Sequence, residues 1–110
     1  MPAREDLFVA TLIERLSDPA FDVRVHAGVL LSEMGAKADQ ALPRLRELLK
    51  ADDVRDRRLA ALTLGSLVRE VAEALPSLLY ALHDEDETVR RLAAEALQKT
   101  PSSAVRVQAA

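Results

Sequence analysis

Apolar residues along this chain fall at helical spacing in short segments, and the segments come in pairs separated by acidic or proline-bearing breaks. Leu7, Phe8, Leu12, Ile13 and Leu16 make one stripe of a first helix, with Asp6 as its expected cap. Ser17-Asp18-Pro19 stops that helix, and Asp18 and Asp22 offer capping oxygens to the next. Val23, Ala27, Leu30, Leu31 and Met34 then face inward on a second helix over 23–34, which Gly35 ends as a left-handed cap. The plan repeats. Asp39 is the expected cap of a helix holding Leu42, Leu45, Leu48 and Leu49, with Pro43 in its first turn, where a missing N–H costs little. Ala51-Asp52-Asp53 is a turn, and Val54 to Arg69 is the partner helix. Gly65 interrupts it at a cost of about 1 kcal/mol relative to Ala, as expected where a second helix or a partner approaches closely. A third pair holds Leu75, Leu78, Leu79 and Leu82, turns at Asp84-Glu85-Asp86, and continues from Thr88 to Lys99. Thr100-Pro101 closes it, because a residue before proline avoids the α region, and the tail 101–110 is expected to fray.

These pairs are one unit written three times. Arg24, Arg57 and Arg90 stand 33 residues apart, as do Ala27, Ala60 and Ala93, and Leu31, Leu64 and Leu97. Leu16, Leu49 and Leu82 keep the same register, and Ala41-Leu42-Pro43 returns as Ala74-Leu75-Pro76. A fixed period of ~20–50 residues is the mark of a solenoid, here with repeats at 7–37, 38–72 and 73–100 of a single domain, 1–110.

Composition agrees with helices rather than a sheet. The 110 residues are 49% hydrophobic and 30% charged, with no Trp, one Tyr and two Phe. Absence of Cys excludes disulfides and thiolate metal sites. The N-terminal MPAREDLFVATLIERL has neither the basic lead nor the unbroken apolar core of a signal peptide, so a soluble cytoplasmic protein with no membrane contact is expected. Net charge is −3, distributed as −1 over 1–7, −2 over 8–40, +1 over 41–73 and −1 over 74–106. No segment carries the basic excess that nonspecific phosphate binding requires, which ranks nucleic acid low among partners.

The ankyrin Thr-Pro-Leu-His signature is absent, and so are the aromatic positions of tetratricopeptide repeats. The chain instead resembles the HEAT repeat over residues 7–100, in the short bacterial form related to the phycobilisome-lyase type. The residues carrying the likeness are Pro43 and Pro76 early in the first helix of a pair, Asp18 and Asp84 in the turn, and Val23-Arg24 and Val89-Arg90 opening the second helix, with Arg57 in register. Departures are Ala10 at the first proline position, and Ala51 and Asp56 where Asp and Val are expected. The resemblance implies an all-α, right-handed superhelix of three hairpins. It also implies a ladder of charges between neighbouring hairpins, which gives Asp18, Arg24, Arg57, Asp84 and Arg90 structural roles in preference to ligand binding. Arg90 stands about 80° from the centre of its helix's apolar arc, the flank where such a ladder would lie.

Candidate chemistry is sparse. His26 occupies the register of Leu59 and Leu92, at the edge of an apolar face, and His83 adjoins a helix C-terminus, where a cation is favoured. A metal site needs several convergent ligands, and the His-Glu dipeptides of HEAT-like di-iron hydroxylases do not occur, so no metal or cofactor is expected. The serines have no histidine nearby in sequence, and phosphate-binding glycine loops are missing. HEAT-like DNA glycosylases work through aromatic and acidic residues in a basic cleft, for which this chain is poorly equipped. Arg55, Arg57 and Arg58 form the densest basic cluster but are interleaved with Asp52, Asp53 and Asp56, as in a solvated mixed-charge turn. No enzyme is expected.

What remains is a surface. Solenoids bind partners along the concave face of their inner helices. A helical wheel points Arg91, Glu95 and Gln98 outward on the last inner helix, and the register adds Arg58, Leu62 and Gly65 on the middle one and Val25, Val29 and Ser32 on the first. Val25, Val29 and Leu62 make an apolar patch, with Arg58, Arg91 and Glu95 beside it, suited to a helix or peptide of another protein. The alternatives are that curvature or an N-terminal segment covers the patch, or that copies associate through terminal repeats lacking polar caps, with Leu7 and Phe8 leading the first helix.

Overall fold

A computed structural model describes residues 3–100. Six α-helices lie among them: α1 (Arg4–Arg15), α2 (Phe21–Met34), α3 (Leu42–Leu49), α4 (Val54–Leu67), α5 (Leu75–Ala81) and α6 (Glu87–Gln98). Consecutive pairs form three hairpins. The inner helices make one row, in which α4 packs against α2 on one side and α6 on the other, and α1, α3 and α5 form the outer row. The body measures 38 × 31 × 18 Å, a short solenoid two helices thick.

Outer helices of the second and third hairpins are short because each is reached through a 3-10 helix, Gly35–Ala41 and Ala72–Ala74. Pro43 and Pro76 sit in their first turns. This route changes the capping expected from sequence. The backbone already enters α3 helically at Ala41, so Asp39 contributes its carbonyl, which accepts from the N–H of Leu42, and not its side chain. Asp6 likewise lies inside the first turn of α1, behind Ala3, and makes no cap. The side-chain caps are Asp53, which accepts from the N–H of Arg55, and Asp86, which accepts from that of Val89. Asp18 bonds the N–H of Ala20 at 2.8 Å, so α2 begins two residues earlier than its apolar pattern suggests. Gly35 ends α2 with φ 58°, and the Glu70 carboxylate lies over the space a side chain would take.

The core follows the register. Leu12, Leu45 and Leu78 are buried, as are Ala27, Ala60 and Ala93. Leu16 and Leu49 are buried and Leu82 only half so, and the same step separates Leu31 and Leu64 from Leu97. The third hairpin is less covered because, among the described residues, no hairpin follows it. At the other end Val9 is buried, whereas Leu7 and Phe8, expected in the buried stripe, are exposed. Phe8 shares a face with Leu12 but, one turn nearer the helix start, remains half-exposed among the described residues. Gly65 has a tertiary reason: a Cβ there would stand 3.0 Å from that of Ala96, a tight contact, so the crossing of α4 over α6 favours glycine. The tail from 101 onward lies outside the described residues.

Candidate interaction surface

Three arginines at one repeat position build the seam beside the inner helices. In each hairpin the guanidinium Nη1 donates to the carbonyl of the residue six positions earlier: Arg24 to Asp18 at 2.8 Å, Arg57 to Ala51 at 3.0 Å and Arg90 to Asp84 at 2.6 Å. The arginine thereby ties its helix to its own turn. In the first two hairpins the Nε then bonds onward to the next hairpin. Arg57 Nε meets Asp84 of the third hairpin at 3.2 Å, with both side chains about nine-tenths buried (11% and 8% exposed). Arg24 Nε meets Asp56 at 2.9 Å.

That second contact corrects the expected ladder. Position 51 holds alanine where the other turns hold Asp18 and Asp84, so no carboxylate is available to Arg24 from there. Asp56, on the first turn of α4, bonds the Arg24 Nε in its place. The two departures in the second repeat compensate each other, a signal present in the sequence once they are read as a pair. Asp56→Val should therefore cost about 2 kcal/mol, the range for a bond to a charged group. Adding Ala51→Asp should recover most of that loss in urea unfolding, because Asp84 already reaches Arg57 from the same register. If the second substitution restores nothing, Asp56 has a role other than ladder acid. The remaining members stand apart: no arginine bonds the Asp18 side chain, and no carboxylate bonds Arg90, among the described residues.

The basic cluster on α4 is spent on neighbours. Arg58 forms a two-pronged pair with Asp86, 3.0 and 2.9 Å, linking the second inner helix to the cap of the third. The Arg58 guanidinium, more than the N–H of Val89, holds the Asp86 carboxyl down to about 2. Arg55 pairs with Asp53, which lowers the Asp53 carboxyl below its ordinary range, and lies 4.4 Å from the Phe21 ring. Each of the three arginines thus has a carboxylate, and no unopposed basic stripe is formed.

On the inner face, Leu62 is 52% and Val29 44% exposed, large apolar side chains on adjacent helices. Val25 is half-buried, and Ser32 turns back to bond the carbonyl of Gly28. Arg91 and Glu95 are exposed and face each other loosely at 3.8 Å. A shallow groove of about 350 Å³ runs between α4 and α6 along Leu62, Gly65, Arg69, Leu92, Glu95 and Lys99. Arg69, Leu92 and Lys99 were not singled out by the wheel. Arg69 and Lys99 lie just past the C-terminal ends of α4 and α6, and Leu92 lies in the middle of α6.

His26 and His83 are both exposed, on α2 and beyond α5. Among the described residues no three His, Asp or Glu side chains converge as a metal group, and no helix is long and apolar enough to cross a membrane. Comparison with curated proteins finds no match. A family profile described as HEAT repeats matches residues 9–98, a span that takes in all three hairpins. With the stacked hairpins and the recurring arginine staple, that match places this chain in the HEAT-repeat family, whose members are generally non-enzymatic scaffolds that bind other proteins.

Proposed function

We propose that this chain is a non-catalytic interaction module that seats a helical or extended segment of another protein across its inner helices. The observation that carries this is the exposure of Leu62 beside the groove between α4 and α6. An apolar anchor flanked by Arg69 on the α4 wall and by Lys99 and Glu95 on the α6 wall suits an amphipathic segment with acidic residues at its edge. Val29 and Val25 extend the apolar part onto α2, and Arg91 borders it. Arg58 supports the face by fixing the start of α6.

The test is capture from nuclease-treated lysate of the source cell by wild type, Leu62→Asp and Tyr80→Asp. Tyr80 is as exposed as Leu62 but lies on outer helix α5. A protein held by wild type and Tyr80→Asp, and lost with Leu62→Asp while helicity is unchanged, is the expected result. Equal retention by all three would remove the inner face from consideration.

A second reading, self-association through the terminal hairpins, draws support from a separate surface. A cleft of about 530 Å³ opens between α1 and α2, walled by Phe8, Leu12, Val23, His26 and Leu30.

A further inference from the structure

We infer that copies of this chain stack head to tail, the third hairpin of one copy against the α1/α2 cleft of the next, with Arg90 of the first bonded to Asp18 of the second. The inference rests on the second reading above and is independent of the partner face.

The repeat register shows what the cleft is. His26 and Leu30 on α2 correspond to Leu59 and Thr63 on α4, and Phe8 corresponds to Ala41. Leu59, Thr63 and Ala41 are buried, and Leu59 and Thr63 press on Gly28 of the preceding inner helix: a Cβ at Gly28 would come within 2.8 and 2.9 Å of them. So the cleft is the surface that, in the second hairpin, a preceding hairpin covers. In the first hairpin, among the described residues, it stays open, with Phe8 48% exposed.

The opposite end supplies the complement. Gly28, Ala61 and Ala94 share one register, so the small residue that receives a neighbour's side chains recurs on α6, where Ala94 is half-buried. The charges agree with this direction. Arg90 is bound to its own turn through Nη1, as Arg57 is, and none of its other donors bonds a carboxylate among the described residues. Asp18 is folded as Asp84 is: one carboxylate oxygen of each accepts from the N–H two residues on, at 2.8 Å in both. Asp84 also receives Arg57. Asp18 presents the same carboxylate with no arginine on it among the described residues. Among the described residues, the arginine at one end and its matching acid at the other are brought together by copies placed head to tail. Because such a contact uses two different surfaces, it propagates and does not close.

The full chain is measured by sedimentation velocity from ~10 µM to ~1 mM at low salt, where an exposed ion pair is least screened. Average mass should climb with concentration and reach no plateau. Asp18→Arg, Arg90→Asp and Phe8→Glu should each shift that climb to concentrations at least ~10-fold higher, since each places a like or unpaired charge in the contact. Phe8→Glu touches no cap or turn, so it reports even if a charge variant is poorly folded. An equimolar mixture of Asp18→Arg with Arg90→Asp should associate again: the native arginine of the first meets the native aspartate of the second, and the two introduced charges are also opposite. A constant monomer mass overturns both the stacking and the reading beneath it. A plateau at the dimer, charge variants that associate like wild type, or a mixture of folded variants that stays monomeric would leave self-association standing and overturn this arrangement.

Discussion

Arg57→Ala should lower stability by roughly 3–5 kcal/mol, the cost of removing one partner of a buried ion pair. For a domain of this size that is a fall in melting temperature of roughly 15 °C or more. The side chain holds the carbonyls of Ala51 and Asp52 at 3.0 Å each and the carboxylate of Asp84 at 3.2 Å. Truncation strands all three, and Asp84 is itself nearly buried. Arg90→Ala removes the same residue type at the same repeat position. There the side chain is exposed and bonds one carbonyl, so the expected loss is about 1 kcal/mol or less. Thermal unfolding of the two variants side by side decides the matter. Equal melting temperatures would mean that the Arg57–Asp84 bridge does no more than a surface contact, and that apolar packing and the Arg58–Asp86 pair join the second and third hairpins without it.

Leu64→Ala should cost about 2–5 kcal/mol through loss of transfer energy and a cavity between packed helices. Leu64 is fully buried on the middle inner helix, enclosed by hairpins on both sides. Its register equivalent Leu97 is half-buried at the end of the stack, so Leu97→Ala should cost about 1–2 kcal/mol. Urea midpoints give the comparison. A Leu97→Ala loss as large as that of Leu64→Ala would show that the outer surface of the third hairpin is covered in solution. For a fold whose whole margin is roughly 5–15 kcal/mol, the central positions matter most.

Several features were legible before any coordinates. The spacing of Arg24, Arg57 and Arg90 established three equivalent units, and the leucines and alanines in the same register marked the core. Gly65 was readable as a point of close approach, and the helix crossing at Ala96 supplies the reason. Local chemistry was enough there because a helix repeats every 3.6 residues and a repeat protein presents each position to the same kind of neighbour.

Capping was less legible. Asp39 and Asp6 have the right residue type, but the 3-10 entry to α3 and the early start of α1 put Ala41 and Ala3 at the N-cap positions instead. Arg58, read as a charge at the rim of a binding face, is bound in both prongs to Asp86, a residue 28 positions away in the chain.

The sequence by itself determined the repeat, its length, the all-helical class and the apolar stripes that supply the interior, because these depend on periodicity along a single chain. Which acid serves which arginine was decided only by the tertiary structure. Asp56 and Asp84 both reach their guanidiniums across a hairpin boundary, and the distance across that boundary is set by how closely α2, α4 and α6 pack. Exposure was decided there too. Phe8 and Leu12 belong to one apolar stripe, and only the presence or absence of a neighbouring hairpin makes one of them surface and the other core.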